Sequence, residues 1–204
     1  AFAAPLFRLV LIGTVLTVGG GCSRGPDSYE WREEVRISDG RTLLVERSAK
    51  FEDVTPPGSA RVAVITGSSA RIIDRQLGDP TWSGDIVVTN LNINPATGRL
   101  TLIASTDWCP AWHRNGRPPS FLWAFELHQG EWQPIAVPDE ARSWPETLLP
   151  ISPSSYDGKQ GRSVSLAQKA ELVRTISEVA PLSPAQIAEA VASKGRVCLE
   201  RFSP

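Results

Sequence analysis

The residues best suited to chemistry in this chain lie between Asp107 and Arg117. Cys109 and His113 are four positions apart, and cysteine-dependent enzymes use a thiol as nucleophile with a nearby imidazole as base. Pro110 makes a helix across this pair unfavourable, and the sequence contains no evident motif that would stabilise an oxyanion. We therefore predict a protein without enzymatic activity, with a small cysteine-dependent enzyme using Cys109 and His113 as an alternative.

The same segment is rich in aromatic and basic side chains. A predicted loop holds Trp108, Trp112, His113, Arg114 and Arg117. Exposed aromatic rings beside polar groups commonly form recognition surfaces on loops, and indole rings stack on sugars or bury in a protein partner. These five residues are our predicted ligand-binding site, and a glycan or peptidoglycan bound through Trp108 and Trp112 is a further alternative.

The first 22 residues have the pattern of an export signal. Arg8 precedes an apolar run from Leu9 to Val18, and three glycines separate this run from Cys22. The run has ten residues, whereas a membrane-spanning helix needs about 20. The segment resembles the lipobox of bacterial lipoproteins, in which the cysteine carries lipid and becomes the mature N-terminus, although Gly19 stands where Leu is usual.

We therefore predict a signal peptide over residues 1–21, a lipid-bearing Cys22, a tether over 22–28 and a single globular domain over 29–204. An ordinary cleaved signal and an uncleaved anchor are the alternatives. Ser23 stands where a retention signal is usually Asp, which by resemblance favours the bacterial outer membrane, with the domain facing the periplasm. The first predicted partner is thus the membrane, which the protein contacts through its lipid anchor.

Charge and residue counts exclude other partners. Removing the leader with Arg8 leaves 20 basic and 22 acidic residues, a net charge of −2, whereas nucleic-acid binding through phosphates needs a basic surface. A metal site needs three or four convergent ligands, and the sequence has only two histidines, His113 and His128. We predict no nucleic-acid partner, no metal and no cofactor.

Cysteine usage agrees with export. With Cys22 assigned to lipid, Cys109 and Cys198 remain, and in an oxidising compartment they can form only one intramolecular pair. We predict a Cys109–Cys198 disulfide, with two unpaired buried thiols as the alternative.

Alternating apolar and polar residues predict three β-hairpins. Their turns contain Asp-Gly, a longer loop ending in glycine, and Gln-Gly, all typical of hairpins. The predicted strand pairs are Trp31–Ile37 with Thr42–Glu46, Ile86–Ile93 with Arg99–Ala104, and Phe121–Leu127 with Trp132–Ile135. Pro134 places the last strand at a sheet edge or a bulge. Two further short strands are predicted, over Val62–Ile65 and Ala70–Ile73, and Gly67-Ser68-Ser69 separates them.

Helical patterns follow near the C-terminus. Ser165-Leu166-Ala167-Gln168 has the form of a capping box and starts a helix that Pro181 ends, and a second helix runs from Ser183 to Gly195. Val197–Phe202 is predicted as a final strand. The predicted fold class is α+β, an antiparallel sheet of about six strands built from hairpins with two C-terminal helices.

A family resemblance covers roughly residues 28 to 150. The residues that carry it are Trp31-Arg32-Glu33-Glu34-Val35, Asp39-Gly40-Arg41, Trp82-Ser83-Gly84, Cys109, Trp112, Gly116-Arg117-Pro118 and Gly130-Glu131-Trp132. Together they resemble an uncharacterised family of proteobacterial lipoproteins, in which an aromatic residue usually stands where this chain has His113. The resemblance implies an envelope location and an antiparallel domain, and it supplies no activity. The leading functional prediction is an envelope lipoprotein that supports or binds another envelope component, a protein or a glycan.

Overall fold

The computed structural model describes residues 28–54, 62–106, 108–144, 147–148, 162–170 and 198. The predicted signal peptide, Cys22 and the second C-terminal helix lie outside these residues. The described elements are β1 (Ser28–Arg36), β2 (Thr42–Val54), β3 (Val62–Ile73), β4 (Thr81–Gly84), β5 (Val87–Ile93), β6 (Leu100–Ser105), α1 (Cys109–Arg114), β7 (Leu122–His128), β8 (Glu131–Ile135), a 3-10 helix (Asp139–Ser143) and β9 (Arg162–Val164). Residues 166–170 are also helical. None of the described helices is long and apolar enough to cross a membrane.

The strands form two sheets. The first sheet has the order β4-β3-β2-β1-β9, and the second has the order β5-β6-β7-β8. Neighbouring strands are antiparallel except β1 and β9, which are parallel. The α+β class is confirmed in its coarse form, but the prediction of one sheet of about six strands was wrong, because nine strands in the described residues divide between two sheets.

The three predicted hairpins are confirmed. β1 pairs with β2, β5 with β6, and β7 with β8, each through the turn that the sequence indicates. Pro134 lies on β8, which is an edge strand of the second sheet, as expected for a residue without an amide donor. β1 begins at Ser28, the last residue of the predicted tether.

The interior strand β3, between β4 and β2, corrects the sequence prediction. It runs unbroken through Gly67-Ser68-Ser69, which we expected to separate two short strands. The Ser69 hydroxyl bonds the Ser48 hydroxyl at 2.8 Å, and the Ser68 hydroxyl donates to the carbonyl of Ile86 at 2.6 Å. Small hydroxyl residues are therefore tolerated here because β3 is paired on both sides and its serine side chains find partners on β2 and in the segment just before β5.

The largest hydrophobic cluster of the described residues fills the space between the two sheets. The inward residues of the first sheet alternate along β1 and β2, as expected for strands with one buried face. This cluster joins residues on or next to strands of the first sheet to residues on or next to strands of the second: Val35, Ile37, Leu43, Val45, Ala70, Ile72 and Trp82 with Ile86, Val88, Leu91, Leu100, Leu102 and Ala104. The sheets thus hold each other's apolar faces out of water, and the loops around this core position the residues discussed next.

The helix that starts after β9 has the predicted capping box. The backbone amide of Ser165 donates to the side-chain oxygen of Gln168 at 2.9 Å, and the amide of Gln168 donates to the Ser165 hydroxyl at 3.3 Å. These reciprocal bonds satisfy donors that the first helical turn leaves unpaired. The predicted helix start is therefore confirmed at this end.

Candidate functional site

The five predicted ligand-binding residues lie on and around α1. The prediction that Pro110 would prevent a helix was wrong, because it occupies the first turn, where its missing amide donor costs nothing. Trp108 occupies the N-cap position without a capping side-chain hydrogen bond, and the exposed Arg117 follows the helix with a positive φ of 55°. The structure therefore brings these residues together, but as a helix and its flanks rather than as a loop.

Trp112 is part of a buried cluster. Its side chain is 4% exposed and stacks on Phe121, with ring centroids 4.9 Å apart and planes 12° from parallel. The indole N–H donates to the carbonyl of Pro118 at 2.9 Å. Our expectation of an exposed ring at Trp112 was therefore wrong, because its face and its polar edge are both engaged inside the domain.

The disulfide joins α1 to the C-terminal region. Cys109 and Cys198 are bonded, as the sequence predicts, and their Cα atoms lie 5.2 Å apart. Cys198 is fully buried and has helical backbone, so the predicted strand is wrong at this residue. The His113 Nε2 atom lies 3.1 Å from the carbonyl oxygen of Cys198. A bonded sulfur offers no thiolate, so Cys109 does not act as a nucleophile in this state.

The exposed side of α1 is built from charged and amide side chains. Arg114 lies over the ring of the half-buried Trp108, 5.1 Å from its centroid, and forms an ion pair with Asp85 at 2.7 Å. Asn115 donates to the same carboxylate at 2.7 Å and to the carbonyl of Ala111 at 2.8 Å. The α1 surface is thus tied to the segment between β4 and β5, and Arg114 lies over the indole that we expected to contact a ligand.

A buried charge cluster between β1, β2 and the C-terminal helix was missed by sequence reasoning. The side chains of Glu33 and Arg47 have no exposed surface, and that of Lys169 is 10% exposed. Glu33 pairs with Arg47 at 2.9 Å and with Lys169 at 2.6 Å. The Lys169 ammonium also donates to the carbonyl oxygens of Glu34 and Thr147, each at 2.7 Å.

Further contacts surround Arg47 in this cluster. Its guanidinium donates to the carbonyl of Val88 at 2.6 Å and lies 4.9 Å from the ring centroid of Trp31. Arg47 therefore links the first sheet to the second. Burying an unpaired charge is energetically unfavourable. The ion pairs and hydrogen bonds among these residues therefore allow three ionised side chains to lie inside the domain.

Burial and the neighbouring charges change the pKa values of Glu33 and Lys169. Burial works against the ionised form of Glu33, but the positive charges and hydrogen bonds of Arg47 and Lys169 outweigh it and lower the pKa of that carboxyl below 4.5. Burial lowers the pKa of Lys169, against the attraction of Glu33. Glu33 is therefore held as a carboxylate over the whole neutral range.

The alternation of buried and exposed residues along β1 and β2 could have indicated the buried Glu33–Arg47 pair. Trp31 and Val35 share the buried face of β1, so Glu33 between them must share it too. Arg47 follows Leu43 and Val45 on the buried face of β2 in the same way. Two opposite charges on adjoining inward faces indicate a buried ion pair, whereas nothing local indicates that Lys169 completes it.

Glu126, on β7 of the second sheet, is a second buried carboxylate. Glu126 is 2% exposed and accepts hydrogen bonds from Thr97, Asn94 and His128, the last at 2.9 Å, and it pairs with Arg99 at 3.2 Å. Burial opposes its charge, but the hydrogen bonds from Thr97, Arg99 and His128 outweigh burial and lower its pKa. Its donors come from the β5–β6 loop and from β7 itself, so the carboxylate fixes that loop to the sheet.

The outer face of the first sheet bears a shallow polar groove of about 470 Å³. Its lining includes Glu30, Arg32, Glu46, Ser48 and Ser69. Arg32 and Arg71 both pair with Glu46, so the charges of this face are largely matched internally. Within the described residues, no three His, Cys, Asp or Glu side chains converge on a point that would hold a metal ion.

Comparison of this chain with protein-family models, with curated proteins and with solved structures gives no match.

Proposed function

We propose that this protein is a cell-envelope lipoprotein, anchored in the bacterial outer membrane through lipid on Cys22, with its domain in the periplasm. The Cys109–Cys198 disulfide carries this proposal, because disulfides persist in oxidising compartments and are rare in the cytosol. The pairing leaves Cys22 as the third cysteine, at the position where the leader pattern predicts lipid attachment.

We further propose that the domain has no enzymatic activity and supports or binds another envelope component. The sulfur of Cys109 is engaged in the disulfide, and His113 faces a backbone carbonyl. Trp112 is used for packing. The buried carboxylates Glu33 and Glu126 are each surrounded by several donors from their own domain. These groups are therefore engaged in holding the fold together, which fits a supporting or binding protein better than an enzyme.

Intact mass spectrometry of protein extracted from its native membrane tests the anchor and the disulfide together. We expect a chain that begins at Cys22 with acyl chains attached, and a gain of two hydrogens on reduction. Cys22→Ser is the matched control, because it removes the only proposed acceptor of lipid and leaves the disulfide intact. A chain without lipid, or one whose mass does not change with reductant, would contradict the proposal.

A further inference from the structure

The loop from Asn115 to Phe121, which follows α1, is braced by two indole groups. The Trp123 indole N–H donates to the carbonyl of Asn115 at 2.8 Å, and the Trp112 indole N–H donates to the carbonyl of Pro118 at 2.9 Å. The ring of Trp112 also stacks on that of Phe121, and both residues are buried. The backbone of this loop, which we call the α1 loop, is therefore fixed by the domain beneath it.

Arg117 takes an unfavourable backbone conformation in the α1 loop. Its φ of 55° follows a φ of 84° at Gly116, and its amide donates to the carbonyl of Trp112 at 3.1 Å. This bond belongs to a Schellman motif, in which the residue at this position often packs an apolar side chain on the helix. Here the residue is an exposed arginine. Positive φ at residues other than glycine costs free energy and clusters at functional sites, and Gly116 alone would end the helix.

The guanidinium of Arg117 is available to a partner. In the described part of the chain no carboxylate pairs with it, whereas Arg114 is already paired with Asp85. Arg117 is thus the one unmatched charge that the described residues of α1 and its loop present. The exposed Pro119 beside it adds a rigid apolar surface. Arginines next to apolar surface are enriched among the residues that dominate binding at protein interfaces.

A single available guanidinium selects among the possible partners. Anionic membranes are recognised by clusters of about four to eight Lys or Arg, whereas α1 and its loop contain only Arg114 and Arg117. Glycan stacking needs an open aromatic face, but Trp112 is buried and Arg114 lies over the ring of Trp108. A carboxylate matches one guanidinium in charge and accepts two parallel hydrogen bonds from it. The observations therefore favour an acidic side chain.

We propose that Arg117 binds an aspartate or glutamate side chain of another envelope protein, with the α1 loop at the centre of that interface. This inference rests on the proposed function, a domain that binds another envelope component, and it adds the place of contact and the chemistry of the partner. Because the loop is already braced, binding has little backbone freedom to remove. The arginine therefore lowers the stability of the unbound protein and raises its affinity for the partner.

Zero-length cross-linking tests the chemistry at position 117. Arg117→Lys keeps the positive charge and supplies an amine, which a carbodiimide joins to a contacting carboxylate as an amide while the reagent becomes a urea. Cells that produce the full lipoprotein are treated with the carbodiimide, and the cross-linked peptides are sequenced by mass spectrometry. Arg36→Lys is the matched control, since Arg36 is also exposed but lies on β1. We expect position 117, and not position 36, to be joined to an aspartate or glutamate of another protein.

Arg117→Asn separates binding from folding. Asparagine accepts positive φ better than arginine does, so the Tm of the variant should not fall below that of the wild type. Its affinity for a synthetic peptide that spans the cross-linked carboxylate should fall about tenfold or more, because a charge-assisted hydrogen bond is lost. An unchanged affinity would overturn the proposal. Cross-links that reach only glycan or lipid, or that are as frequent from position 36, would do the same.

An intact mass of the protein from the same cells separates the two levels of failure. A chain that lacks lipid on Cys22 overturns the proposed function together with the contact. A lipidated, disulfide-bonded chain without the cross-link at position 117 overturns the Arg117 contact alone.

Discussion

Removing the ammonium group of Lys169 is a direct test of the buried charge cluster. Lys169→Met keeps an unbranched apolar side chain, but Glu33 and the carbonyl oxygens of Glu34 and Thr147 lose a donor at 2.6–2.7 Å. Breaking a buried ion pair by removing one partner costs about 3–5 kcal/mol. Because Arg47 continues to pair with Glu33, we expect the lower end, about 3 kcal/mol at neutral pH.

Urea unfolding followed by tryptophan fluorescence measures this cost. The matched control is Arg32→Met, which removes a cation from the same sheet. The Arg32 side chain is 59% exposed where it pairs with Glu46, and exposed pairs contribute about 0–1 kcal/mol. If Lys169→Met cost no more than Arg32→Met, the inference that burial makes the cluster energetically important would be refuted.

The pH dependence of stability gives a second measurement. Since the pKa of Glu33 is lower in the folded chain than its ordinary value of 4.5, the unfolded chain binds more protons in acid. The stabilisation from Glu33 is therefore complete above pH 4.5 and is lost as the pH falls through the lowered pKa. In Lys169→Met one cause of the lowering is gone, so the loss that starts near pH 4.5 should be smaller and should be complete at a higher pH than in the wild type. An acid unfolding profile identical to that of the wild type would contradict this account.

Three further predictions concern the disulfide, the second buried carboxylate and a turn. Replacing Cys109 and Cys198 together by Ala should lower the free energy of unfolding by up to about 4 kcal/mol, because the bond closes a loop with a sequence separation of 89. Reductant should lower the Tm of the wild type alone, and an equal effect on the variant would exclude the bond as the cause. Glu126→Gln should cost about 1–3 kcal/mol at pH 7, because its donors lose a charged acceptor. It should also weaken the loss of stability as the pH falls below 4.5. Acid titration by circular dichroism measures this, and an unchanged slope would contradict it. Gln129→Asn should raise stability by about 0.5 kcal/mol, because Gln129 and Gly130 both have positive φ in a two-residue turn that favours Asn-Gly. A lower Tm would argue against this interpretation of the turn.

Local patterns in the sequence determined much of the fold. The hairpins follow from period-two alternation and from turn residues that accept positive φ, such as Gly40 at 90°. The helix start follows from the Ser165–Gln168 capping box, which involves residues three positions apart. The disulfide followed from counting, because assigning Cys22 to lipid left only one possible pair.

Only the tertiary structure decided how these pieces are arranged. The division into two sheets and the parallel pairing of β9 with β1 join segments that are distant in sequence, and no local pattern specifies such partners. The continuity of β3 depended on pairing on both sides of its serines. The expectation of an exposed Trp112 was wrong because its burial also depends on tertiary contacts. Its ring stacks on Phe121 and its indole N–H donates to the Pro118 carbonyl only once the chain has folded.

The buried charge cluster shows most clearly which features the sequence determined and which the tertiary structure decided. By itself, the sequence determined that Glu33 and Arg47 face inward, because their positions alternate with apolar residues on paired strands. It could not determine that Lys169 reaches the same cluster, 135 positions beyond Glu34. A charge inside a protein is tolerated only when partners surround it, and those partners were brought together by the packing of the two sheets and the C-terminal helix.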